Sequence, residues 1–221
     1  MALILNIETA TRNCSVALAD GGRVIAARDF AADGYSHAEK LHVFINEVLA
    51  EKDLEPSSLD AIAVGKGPGS YTGLRIGVST AKGLAYGLGI PLISADTLEV
   101  LARQINVDEG FIVPMIDARR MEVYSAIFDT NFSGIEPTRA EIITSDSYAH
   151  FTETLHFVGD CQEKVREVVK DPNKVFHENA VFPSSKEMAV ISEAKFQRGE
   201  FEDVAYFEPF YLKDFIVGAK N

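Results

Sequence analysis

Short apolar runs separated by polar turns set the rhythm of this chain, and the rhythm occurs twice. Leu3-Ile-Leu-Asn-Ile7 and Ala61-Ile-Ala-Val64 are nearly continuous in apolar residues, the pattern of strands covered on both faces. Between them Cys14 to Asp20 alternates, Gly21-Gly22 turns the chain and Arg23 to Phe30 returns, which predicts a hairpin. His37 to Glu51 then carries Leu41, Ile45, Val48 and Leu49 on one helical stripe, and Pro56-Ser57 ends it. Gly67-Pro68-Gly69 makes a sharp turn after Val64, since proline fixes one φ and glycine permits unusual ones. Ser70 or Thr72 caps the next helix, which runs to Gly87. Ile90 to Ser94 predicts a strand, and Asp96 caps a short helix through Arg103.

Beyond Gly110 the pattern repeats more weakly. Phe111 to Ile116 reads as a strand closed by Asp117, Ala118-Arg119-Arg120 as its turn, and Glu122 to Phe128 as an alternating strand. The segments IETATRNCSVAL and IDARRMEVYSAI share a strand, a terminal acid, a polar turn and a second strand. Ala140–Thr144 is expected as a third strand, Ser147–Leu155 as a short helix and His156–Gly159 as a strand. Cys161–Lys170 and Lys186–Phe196 read as helices, and Tyr206–Leu212, with Pro209, as an extended tail outside any sheet interior. The order β-β-β-α-β-α-β is that of a ribonuclease-H-like unit. The expectation is an α/β protein of two tandem units, residues 1–104 and a degenerate 105–221. That is the actin–hexokinase–Hsp70 (ASKHA) architecture, with a ligand cleft between its halves.

Charge narrows the functions open to such a fold. With 33 acidic and 21 basic residues the chain carries a net charge of −12 and has no basic run. Phosphate neutralisation dominates affinity for nucleic acid, so RNA would have to be gripped mainly by a partner. No apolar stretch reaches membrane-spanning length, and the opening MALILNIE meets Glu8 too early for a signal peptide. Cys14 and Cys161 suit a reducing compartment, so the cytoplasm is the expected location.

Candidate chemistry gathers at the strand ends. Glu8 and Asp117 each close a first strand and are expected to face one another across the cleft. They either hold a hydrated magnesium ion under a nucleotide phosphate or, the favoured reading, bond to turn N–H groups. With Thr9, Gly67, Gly69, Ser70 and Arg119 they make up a candidate anion or nucleotide cleft. Stricter phosphate motifs fail: Lys66 precedes the turn instead of following it, and Thr72 stands where GxGxxG needs glycine. His37 and His42 diverge by about 140° on a helix, and the chain contains no HxxxH, HExxH, CxxC or GxSxG. No catalytic residue, metal site or cofactor is therefore predicted.

The second helix has another peculiarity. Gly73, Gly77, Ala81 and Ala85 recur every four residues, leaving a groove into which another helix fits. Leu41, Ile45, Val48, Leu74, Gly77, Val78, Ala81 and Ala85 are taken as a partner or dimer interface, against the alternative that the groove packs a neighbour of its own.

The segment GPGSYTGLRIGVSTAKGLA resembles the signature of the TsaB (YeaZ) family, with Tyr71 where the family usually has Phe. NIETATRNCSVAL, HAEKLHVFINEVLAEKDL, IDARRMEVYSAIFD and PFYLKDF extend the resemblance along the chain, with Glu8 in place of the usual Asp. The resemblance implies an accessory, non-catalytic subunit of tRNA threonylcarbamoyladenosine (t6A) synthesis with the ASKHA fold. It also implies a heterodimer with the catalytic paralogue TsaD through the helices at His37 and Thr72, and TsaE as an ATP-hydrolysing third partner. A homodimer on the same helices is the alternative assembly, and tRNA is reached only through the complex. The competing function is a small ATPase or phosphotransferase with nucleotide in the cleft.

Overall fold

Two five-stranded sheets of one topology carry the chain. The computed structural model describes residues 1–32 and 36–213. In the first sheet β1 (Leu3–Glu8), β2 (Asn13–Asp20) and β3 (Arg23–Ala31) form an antiparallel meander. From β1, β4 (Ala61–Gly65) and β5 (Leu92–Ala95) continue it in parallel, giving the order β3-β2-β1-β4-β5. The second sheet has β6 (Phe111–Asp117), β7 (Glu122–Phe128) and β8 (Gly134–Ile142) antiparallel. There β9 (Leu155–Gly159) and β10 (Lys174–Phe176) lie parallel to β6, in the order β10-β9-β6-β7-β8. Read from its far edge this repeats the first order, so the tandem α/β fold is present.

Helices cover the sheets because their apolar stripes leave water with them. One face of the first sheet buries the stripes of α1 (His37–Ala50) and α2 (Tyr71–Leu88). Ser70 caps α2 by accepting from Gly73 N at 3.3 Å, and Gly89, at φ 68°, ends it. On the opposite face Met188 and Ile191 of α5 (Ser185–Arg198) pack on Ala2, Ile4, Ala61 and Ile93. Between the sheets wedges α3 (Thr97–Ala102), capped by Asp96. Its Val100 faces the first sheet, while Leu98 and Leu101 face Ile112 and Val158 of the second. Val165 of α4 (Gln162–Val168) packs on the outer side of the second sheet.

Three expectations need correction, and one strand was not anticipated. α5 and the tail, placed by sequence in a unit 105–221, return to the first sheet, whose inner apolar face Met188 and Ile191 cover beside Val100 of α3. The third strand of the second unit is Gly134–Ile142, an edge strand in which Pro137 and alternating charges mask the apolar signal. Ser147–Leu155 forms turns instead of a helix, with Tyr148 at φ 63°. The three-residue β10 is too short for a periodic signal.

The tail is extended, as expected, and runs as a strap from the first sheet toward the second. Glu202 N donates to Leu92 O at 2.8 Å, and Lys82 Nζ on α2 donates to Ala205 O and Phe207 O. Phe210 N donates to Lys66 O at 2.7 Å, and Tyr211 lies beside Tyr71. Lys213 pairs with Glu122 of β7. The last two residues of PFYLKDF, Asp214 and Phe215, lie outside the described residues.

Candidate functional site

The carboxyl ends of β1, β4 and β5 converge, because Ile7 pairs with Val64 and Val64 with Ser94 in parallel register. Glu8 therefore points into the space beside Gly65, and any Cβ at Gly65 would run into its carboxyl. That carboxyl is fully buried; Oε1 accepts from Ala10 N at 2.7 Å, and Oε2 lies 3.2 Å from Thr97 Oγ1. Thr97 Oγ1 in turn accepts from Gly67 N at 3.1 Å. Burial raises the Glu8 pKa from 4.5 to about 7, against the lowering effect of these bonds.

The other turn groups are spent in the same way. Ser70 N donates to Ala10 O at 2.6 Å, and Thr9 Oγ1 donates to Gly73 O at 2.8 Å. Gly69 exists because Ala10 backbone approaches where its side chain would be. His37 is buried, its Nε2 donating to Thr11 O at 2.8 Å, while His42 is exposed. The N–H groups that Gly67, Ser70 and Gly73 would offer an anion thus go to protein acceptors. The Phe210 carbonyl of the strap presses on Gly67 from outside.

In the second unit Asp117 is exposed. Its Oδ1 accepts from Lys164 Nζ at 2.5 Å and from Arg119 N at 2.9 Å. Asp117 N donates to Asp160 Oδ1 at 2.8 Å, and burial raises Asp160 to about 6, opposed in part by Arg12 of the first unit. Arg119 and Arg120 stand exposed at φ 73° and 53°, a region that side chains rarely adopt. Glu8 and Asp117 do not face one another as expected: the first is sealed within its own unit and the second is tied to Lys164. These acids do not fit a hydrated magnesium ion, because one holds its proton near neutrality and both are already bonded. Asp160, Lys164, Arg12 and Thr97 were missed. Asp160 carried a signal, since VGD ends β9 as NIE ends β1.

The eight interface residues also need correction. Leu41, Ile45, Val48, Leu74, Val78, Ala81 and Ala85 are buried within the protomer, as is Gly77, where a Cβ would strike Thr9 Oγ1. The small-residue groove receives the loop after β1 and the protein's own core. A helical stripe reports burial but not what buries it.

The paired units, with strand-end loops meeting between them, define a protein of the actin–hexokinase–Hsp70 class. The fold is shared with an activator of 2-hydroxyisocaproyl-CoA dehydratase from Clostridium difficile, solved with bound ADPNP, at a TM-score of 0.51 and 6% identity over 91% of this chain and 98% of that one. YeaZ from Pseudomonas aeruginosa superposes with a TM-score of 0.84 at 25% identity, covering 96% of this chain and 100% of its own. The tRNA threonylcarbamoyladenosine biosynthesis protein TsaB of Escherichia coli is 31% identical, covering 98% of this chain and 97% of its own length. The family model TsaD, tRNA N6-adenosine threonylcarbamoyltransferase, matches residues 33–218. This chain belongs to the TsaB (YeaZ) family.

Proposed function

We propose that this chain is the accessory, non-catalytic subunit for threonylcarbamoyl transfer to the adenosine beside the anticodon of tRNA, acting by binding and supporting a TsaD protein. The observation that carries the reading is the end-to-end relationship to TsaB proteins, named for that biosynthesis. The self-satisfied cleft supports it, since Glu8 accepts from Ala10 N and Thr97 Oγ1 while the N–H groups of Gly67 and Ser70 go to Thr97 Oγ1 and Ala10 O, which leaves little chemistry for a substrate. TsaE, hydrolysing ATP, joins the pair, and tRNA is held by the complex in the cytoplasm. Among the described residues no helix is long and apolar enough to cross a membrane.

The docking face is the outer side of α1 and α2, in place of the buried stripe. Val43, Ser79, Gly83, Tyr86 and Gly87 lie there, with Tyr86 83% exposed. A Cβ added at Gly83 or Gly87 meets nothing within 4 Å, so the strip is flat enough for close helix approach. A second copy of this chain would compete for it.

Size-exclusion chromatography with light scattering, with TsaD present, compares wild type with Gly83→Arg. The variant adds bulk and charge in open space, so it keeps its fold by circular dichroism. Wild type is expected to form a 1:1 complex that Gly83→Arg does not form. Equal binding by both refutes the face, and threonylcarbamoyl transfer without TsaD refutes the accessory role.

A further inference from the structure

Two histidines far apart in sequence meet at the edge of the second sheet. His156 stands on β9, and His177 follows β10, the parallel neighbour of β9. Their facing nitrogens, His156 Nδ1 and His177 Nε2, are 3.0 Å apart. The other nitrogen of His156, Nε2, lies 3.2 Å from Glu109 O. A carbonyl only accepts, so His156 Nε2 carries its proton and Nδ1 presents a lone pair to His177. Orientation of an imidazole by a backbone carbonyl at one nitrogen, which leaves the lone pair of the other nitrogen available, is how metal-ligating histidines are held.

We propose that His156 and His177 form a two-histidine site for a divalent transition-metal ion, favouring Cu2+ and Ni2+ over Zn2+. Two nitrogens each about 2.05 Å from one ion are roughly 2.9 Å apart at a 90° bite and roughly 3.3 Å apart at a tetrahedral one. The observed 3.0 Å lies between these values, so the spacing admits either geometry, and the preference for Cu2+ and Ni2+ rests on their demand for a square plane that water completes around the nitrogen pair. To hold one ion His177 moves its proton from Nε2 to Nδ1, releasing none, and the two rings turn so that their lone pairs converge on the ion instead of facing one another.

The surroundings prepare the pair. His177 N donates to Phe157 O at 3.0 Å, and Gln162 Nε2 donates to His177 O at 2.9 Å, so its backbone is fixed from both sides. His177 borders a cavity of about 470 Å³ with Glu178 and Asn179, giving room for water on the open coordination positions. Among the described residues no cluster of three His, Cys, Asp or Glu is placed to hold an ion, so water completes the shell. The bound ion would clamp β9 and the segment after β10 to Glu109 in the link between the sheets.

The test is titration of Cu2+ and of Ni2+ alone into the full chain by calorimetry in a non-coordinating buffer. Wild type is compared with His156→Ala, His177→Ala and, for gentler packing, His177→Gln, with the exposed-site variant His42→Ala as control. Wild type and His42→Ala are expected to bind one ion, with affinity falling at least ~10-fold in each variant of the pair. Electron paramagnetic resonance of the Cu2+ form should show two nitrogen ligands. The ion should raise the Tm of wild type and not of folded pair variants. Unchanged binding in either pair variant, a single nitrogen ligand, or no binding by wild type overturns the proposal. Variants that lose stability but bind ions like wild type leave the histidines a structural pair and overturn it equally.

Discussion

Replacing Glu8 by glutamine tests whether the acid at the centre of the first unit is held neutral. The amide has the same shape, keeps an oxygen for Ala10 N–H and can turn its nitrogen toward Thr97 Oγ1. The folded protein binds the Glu8 proton more tightly than the unfolded chain does, because burial moves its pKa from 4.5 to about 7. Its contribution to stability is therefore fully present below about pH 4.5 and is lost as pH rises through about 7. Each tenfold change in proton affinity is worth about 1.4 kcal/mol, so complete ionisation costs the fold about 3 kcal/mol. Glutamine does not titrate. Urea unfolding of both proteins from pH 5 to pH 9 should show wild type falling behind Glu8→Gln by about 3 kcal/mol at the alkaline end. By thermal unfolding the gap is on the order of 10 °C. The difference between the two proteins removes other titrating groups, including Asp160. Parallel pH profiles would refute the buried neutral acid and, with it, the argument against a magnesium site.

Two further expectations concern backbone positions. Gly77→Ala drives a methyl into Thr9 Oγ1 and should cost ~1–3 kcal/mol, whereas Gly83→Ala, in open space on the same helix, should gain up to ~1 kcal/mol; matched thermal melts that rank the pair the other way would show that the loop after β1 does not seat on α2. Arg120→Asn should stabilise by up to about 1 kcal/mol, because asparagine tolerates the positive φ that arginine adopts there at a cost, and a denaturant midpoint lower than that of wild type would contradict it.

Much of the first unit can be read from local chemistry. Ile4, Ile62 and Val64 sit in apolar runs and are buried on both faces, and Ser70 and Asp96 cap the helices that follow them. The second unit is harder for stated reasons. Gly134–Ile142 is an edge strand with charges on it, and β10, at the opposite edge of the same sheet, has three residues. Periodicity correctly marked Leu41, Ile45 and Ala81 as one side of a packed layer, but could not tell a protein's own sheet from another molecule. Glu8 and Asp117 were singled out by their strand-end positions, but the expected meeting across a cleft is not what the structure shows. What each bonds to depends on register between β1, β4 and β5, which no single segment encodes. The His156–His177 approach is likewise a product of parallel pairing between β9 and β10.

The return of α5 to the first sheet has a consequence for how the protein is made. Ala2, Ile4, Ala61, Ala63 and Ile93 are complete as a strand surface once β5 has emerged, yet Met188 and Ile191 that cover them come much later. At ribosomal speeds of ~5–20 residues per second, that inner surface waits roughly 5–20 s for its lid. During this interval the nascent first half presents an apolar sheet face to the cell, and the order of synthesis, more than the order of the fold, decides when the chain becomes safe from aggregation.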